Sequence, residues 1–314
     1  MSLLVIGSVA FDDIETPYGR AEKIVGGAGT YIAWAASYFT EDIRMVSIVG
    51  EDFPLPELKA LQGQGVDTSG IKIVEGGKSF FWAGKYHNNL NSRDTLITDL
   101  NVLADFDPVL PPHFRDSEYV MLGNLTPSIQ MSVIDQMAHR PKIIALDTMN
   151  YWMDSAMDEL MEVLTRIDLL IINEEEARQL SGQYSLLKAS EAIMAMGPKY
   201  LAIKKGEHGA LLFGDDRVFF SPALPLEEVQ DPTGAGDSFA GGLMGYLASQ
   251  EEVNFDILKQ AITCGSAMAS FCVEKFGTQA LREIAPEDLY ERIDRFTHLV
   301  HFEVPGWEKR QRKA

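Results

Sequence analysis

Cysteine is scarce in this chain: of 314 residues only Cys264 and Cys272 are cysteines. Eight positions apart on an expected helix, they would lie about 12 Å apart along its axis, too far to bridge. Neither they nor the histidines fall at the spacings of a metal site. Positive charge is short as well. The 27 basic residues face 46 acidic ones, a net charge of −19, which weighs against a nucleic acid or an anionic membrane as partner. No apolar run approaches the roughly 18 residues of a membrane span. The opening Met1-Ser2-Leu3-Leu4-Val5-Ile6-Gly7 lacks the basic start of a secretory signal, so the expected location is cytoplasmic. Two common nucleotide fingerprints are missing too. The first strand-to-helix turn has no G-x-G-x-x-G, which disfavours a nicotinamide dehydrogenase. Gly76-Gly77-Lys78-Ser79 copies the end of a Walker A loop, but Lys72 stands where its first glycine would fall.

What the chain does contain centres on Asp231-Pro232-Thr233-Gly234-Ala235-Gly236-Asp237. The preceding Glu228-Val229-Gln230 reads as a short strand, and Phe239, Leu243 and Leu247 recur at helical spacing behind it, so the heptad is expected at a strand-to-helix turn. Small residues there let main-chain N–H groups converge at the positive end of a helix, which is an anion site. Asp237 at the rim of such a site could take a proton from a hydroxyl while the amides of Gly234, Ala235 and Gly236 hold a phosphoryl group. A glycine-rich helix start ending in a capping acid is the plainer alternative.

The heptad resembles the D-x-x-G-A-G-D signature of the PfkB/ribokinase family of sugar and nucleoside kinases. The resemblance runs from Gly7 to Gln279. Gly7 to Asp12 matches the family's G-S-x-x-x-D, and Gly26-Gly27 its glycine pair at a helix start, which implies that Asp12, Gly26 and Gly27 grip the acceptor. Tyr31 stands where the family often has Asn, and Ala10 replaces another Asn, so ribose is not implied. Asn173 and Glu176 match N-x-x-E, which implies that they organise Mg²⁺ beside ATP. Gly206 and Gly209 match a turn near the nucleotide, with Lys204 in a place where many members have Thr and Thr233 inside the signature. Asp231 is implied at a metal position, that of a monovalent cation such as K⁺. The segment from Cys264 to Ser270, with Gly277 and Gln279, resembles the adenine side.

The fold expected is α/β: a three-layer α/β/α, doubly wound, mostly parallel sheet, ribokinase-like, with a small β-sheet lid. One kinase domain spans 1–314, the lid coming from discontinuous segments near 11–25 and 72–103, and 304–314 being a basic tail. A buried apolar strand over 3–8 opens the chain. From Tyr119 onward, strands at 119–122, 142–147, 168–172, 200–204 and 210–213 alternate with helices at 128–138 and 154–164, and a further helix is expected over 262–273. Strands at 79–86 and 94–100 form a hairpin-like insertion. Its Phe80, Phe81 and Trp82 could cover an acceptor or face a second copy of the chain, making a homodimer through the lid. Arg93 could reach a substrate oxygen or be a surface arginine. Asn124, Asp147 and Asn150 fall at strand ends, where they contact a ligand or cap helices.

These features point to ATP-dependent phosphorylation of a hydroxymethyl group on a sugar or nucleoside, with no nucleic acid or membrane partner. An adenosine-like nucleoside kinase is the narrower alternative. A catalytically idle sugar- or nucleotide-binding regulator on the same fold is the reading from another class.

Overall fold

The computed structural model describes residues 1–301; the basic tail at 304–314 lies outside them. Among the described residues the strands are β1 (Leu3–Ile6), β2 (Ala10–Thr16), β3 (Gly19–Gly26), β4 (Ile43–Gly50), β5 (Val66–Val74), β6 (Phe80–Tyr86), β7 (Arg93–Asp99), β8 (Tyr119–Leu122), β9 (Ile143–Asp147), β10 (Leu169–Asn173), β11 (Tyr200–Lys204), β12 (Ala210–Gly214) and β13 (Arg217–Ser221). The α-helices are α1 (Ala28–Ala36), α2 (Leu55–Gly63), α3 (Pro127–Asp135), α4 (Asn150–Ser155), α5 (Met157–Leu164), α6 (Glu174–Ser181), α7 (Leu186–Met194), α8 (Ala235–Ala248), α9 (Phe255–Cys272), α10 (Gln279–Arg282) and α11 (Pro286–Val300).

The main sheet runs β13-β12-β11-β10-β9-β8-β1-β4-β5. It is parallel from β5 through β11 and antiparallel at β12 and β13. Alternation along a strand sends successive side chains to opposite faces. Thus Leu3 and Val5 of β1 join a core with α1, α8 and α9, while Leu4 and Ile6 join the other core with α3, α5, α6 and α7. Both faces are covered, which is why β1 reads as an unbroken apolar run. The result is the expected three-layer arrangement.

A second sheet, ordered β3-β2-β6-β7, forms the lid. Its middle pair is parallel, Asp12 standing opposite Trp82, and β6 and β7 form the expected hairpin. Residues 72–74, expected in the lid, instead end β5 at the edge of the main sheet. The strand expected at 228–230 does not form. The segment is held by one carbonyl, that of Val273, which accepts from the amides of Gln230 and Asp231, and so has no neighbouring ladder to join.

Helices α1, α8 and α9 pack closely because they meet through small residues. A Cβ on Gly241 would lie 2.4 Å from the Ile32 carbonyl oxygen, and one on Gly265 would lie 2.6 Å from that of Phe239. The small residues of α9 therefore serve close helix packing. Cys264 and Cys272 are both buried and unbridged.

Candidate active site

The C-terminal ends of β9, β10 and β11 bring Asp147, Asn173 and Lys204 to one rim of the main sheet, and α8 begins beside them. This is where open α/β sheets bind ligands. Gly234 is the N-cap of α8, with φ 75°. A Cβ there would meet the Tyr31 ring at 2.4 Å, so glycine is required by conformation and by space. Asp237 follows in the first turn, half-buried at the rim.

The amides at the start of α8 are not equivalent. That of Ala235 donates to the Pro232 carbonyl at 3.2 Å, closing the turn. Those of Gly234 and Gly236 meet no protein acceptor among the described residues. Two of the three amides expected to form the anion cradle therefore remain available, and the third maintains the turn.

Charge gathers around Asp237. Burial lifts its carboxyl from the ordinary 3.8 to about 7, Asp147 adds to the rise, and Lys204 and Arg93 oppose it. Lys204 donates from Nζ to Asp147 Oδ1 at 2.9 Å. Burial works against its charge, but Asp147 and Glu176 outweigh that and hold its amine above the usual value. Glu176 is likewise lifted to about 7, chiefly by burial. It forms a capping box at the start of α6: its Oε2 accepts from the Asn173 amide at 2.7 Å, and Asn173 Oδ1 accepts from the Glu176 amide at 2.8 Å. Each side chain thereby keeps one polar atom outside the box.

Asp12, expected to grip the acceptor, is 5% exposed. Its Oδ2 lies 1.8 Å from where a Cβ on Gly26 would sit, so Gly26 gives the carboxylate its room. Burial raises this carboxyl to about 8, with Asp231 and Asp237 contributing and the Gly27 amide opposing. Tyr31, expected at the acceptor, is 1% exposed. It lies beneath Gly234 as packing, a place forced by the close approach of α1 to α8. Asp231, expected at a metal, is fully buried, with Oδ1 accepting from the Thr233 amide at 2.8 Å and Oδ2 from the Gly277 amide at 3.0 Å. In this geometry it ties the signature turn to the loop after α9. Among the described residues no group of three or more His, Cys, Asp or Glu is arranged to hold a metal ion.

The lid closes onto both halves of the rim. Thr233, expected on the nucleotide side, donates from its hydroxyl to that of Tyr86 on β6 at 3.1 Å. Arg93 lies over the rings of Trp82 and Tyr86, at 5.7 and 6.0 Å from their centroids, and its charge reaches Asp237 and Glu176. At the tip of the same hairpin, beyond the Tyr86–Arg93 rung, Asn91 Oδ1 lies 3.2 Å from where a Cβ on Gly206 would sit. Gly206 and Gly209 shape the β11–β12 turn, where the Lys205 amide donates to the Gly209 carbonyl. Asn124 accepts from Trp152 Nε1 at 2.8 Å and Asn150 bonds Gln179, so both side chains are engaged in holding α4. Tyr86 is the residue the sequence did not single out; its alternation with Trp82 on one lid face is the only signal it leaves.

The comparisons with known proteins agree with this architecture. The family model described as pfkB family carbohydrate kinase matches residues 2–285, and the chain belongs to that family. It is a sugar or nucleoside kinase. Among curated relatives, the cytidine kinase of Thermococcus kodakarensis is 29% identical over 285 residues, covering 88% of this chain and 98% of the relative. Among solved structures, the nucleoside kinase of Methanocaldococcus jannaschii, described as an archaeal member of the ribokinase family, superposes with a TM-score of 0.74 at 19% identity, over 94% of this chain and 99% of that one. Arabidopsis thaliana ribokinase complexed with ribose and ATP gives 0.73 at 21% identity, over 93% and 98%. At these identities the structural likeness carries the fold.

Proposed function

We propose that this chain transfers the γ-phosphoryl group of ATP to the hydroxymethyl group of a nucleoside. The observation that carries the reading is Asp237, a carboxylate lifted to about 7 in the first turn of α8, beside two unengaged amides and within reach of two cations. A base poised near neutrality serves proton abstraction from an alcohol. Asp237 takes the hydroxyl proton as that oxygen attacks the γ-phosphorus, the bond to ADP breaks, and the Gly234 and Gly236 amides stabilise the charge on the transferring group. Asp12 orients the acceptor between Gly26 and Gly27, and Arg93 comes over it from the lid. Gly206 and Gly209 border the nucleotide. Glu176 and Asn173, each with a polar atom outside the capping box, are suited to hold the water shell of Mg²⁺. Such an ion keeps most of its waters, needs few protein ligands, and neutralises phosphate charge when bound.

Support for a nucleoside comes from Trp82, in register with Asp12 on the neighbouring lid strand and half-exposed, an aromatic face suited to a base. The names of the cytidine and nucleoside kinases among the similar proteins point the same way. A panel of cytidine, adenosine, inosine, ribose and fructose, read by ATP consumption, tests it: nucleosides should be turned over in preference to free sugars. Asp237→Asn should lower kcat by roughly 10²–10⁴ with ATP affinity kept within a few-fold. Near-normal turnover in that variant would refute the base assignment.

A further inference from the structure

A lysine is out of place where Lys204 lies. Its Nζ stands 3.0 Å from the point where a Cβ on Gly236 would sit, with Cε at 3.7 Å and Cδ at 3.9 Å, so the side chain lies flat against the first turn of α8. That end of a helix carries partial positive charge and repels a cation. Only 17% of the lysine side chain is exposed, and only 9% of that of Asp147, whose Oδ1 accepts from it at 2.9 Å. Such a buried pair contributes little to stability, because desolvation offsets the attraction. The pair therefore calls for another reason, and the turn supplies one. With the Ala235 amide bonded to Pro232, the start of α8 offers the amides of Gly234, Gly236 and Asp237, which meet no protein acceptor among the described residues, and the Lys204 ammonium lies beside Gly236.

We propose that Lys204 completes the phosphate cradle as its charged side-chain donor, and that Asp147 is a positioning residue that holds the lysine over α8. This rests on the kinase function proposed above. The arrangement also gives Gly236 a second task, since any side chain there would displace the ammonium.

Calorimetric titration of ATP, at fixed Mg²⁺, into the full-length chain and its Lys204→Met, Asp147→Asn and doubly substituted forms tests the pair. Loss of one charged hydrogen bond should weaken ATP binding by about tenfold or more in the Lys204→Met form. Asp147→Asn should show a loss of similar size, and the double variant should bind no more weakly than Lys204→Met alone. A pair with only a structural role would lower the Tm of every variant while leaving the affinity of the folded protein unchanged. That result, or losses that multiply in the double variant, overturns the proposal. If Lys204→Met does not fold, Lys204→Gln replaces it with the same expectation and the same power to refute. A chain that binds ATP but phosphorylates no acceptor of the panel overturns the proposed function, while the affinities still decide the cradle. Absence of ATP binding overturns both.

Discussion

At the scale of single residues, Asp12, Glu176 and Asp237 are among the carboxyls held in environments that oppose their ionisation. For Asp237, raised to about 7, the sign is direct: below that pH the group is protonated and accepts no proton. The rate of phosphoryl transfer should therefore rise with pH along an acid limb centred near 7, and the Asp237→Asn form should lose that limb; a profile flat from pH 5 to 8 contradicts the assignment. Asp12 gives a stability test. Its folded value of about 8 against the ordinary 3.8 means that the native state binds the proton more tightly, so stability falls as pH rises from 4 to 8. Asp12→Asn should thus raise Tm at pH 8 by more than at pH 5, on the order of a few kcal/mol of relief at the alkaline end. Thermal melts at the two pH values check it. Asp237 was legible in the sequence because the signature is local. Asp147 was legible only as a strand-end acid and Tyr86 not at all, because the contacts that give them meaning, to Lys204 and Thr233, join residues that are 57 and 147 positions away in the chain.

At the scale of elements, the start of α8 is the least substitutable part of the molecule. Gly234→Ala would place a Cβ against the Tyr31 ring and force a left-handed backbone on alanine. A loss of about 2–4 kcal/mol is expected from strain and overpacking together, measurable as a lowered denaturant midpoint with an unchanged slope. The central strands β1 and β8 to β11 were readable because burial on both faces makes them plain apolar runs. Strand β5 was not, since its sequence VDTSGIKIV alternates buried and exposed positions at the sheet edge and carries polar residues. The extended segment at 228–230 shows the converse: strand-like residues form no strand without a partner to pair with. The helix expected over 154–164 is interrupted at Ala156, which takes φ −147° between α4 and α5.

At the scale of the whole molecule, the lid ends in β7, a strand exposed along its length, with Leu96, Ile97 and the adjoining Leu100 each 45–59% exposed. An exposed edge strand with apolar side chains invites pairing, and the expected homodimer through the lid would use it. Sedimentation should give a dimer for the natural sequence and a monomer for the Leu96→Lys, Ile97→Lys form; a monomer for both removes the pairing.

The lid also carries a consequence for the order of events in a catalytic cycle. One hairpin touches the signature turn through Tyr86, the last residue of β6, and lies beside the Gly206 turn through Asn91 at its tip. In the function proposed here those are the two ends from which phosphorylated product and spent nucleotide must depart. Because both contacts come from neighbouring residues of one hairpin tip, lifting that tip frees both turns together, and in that function the two departures share a gate.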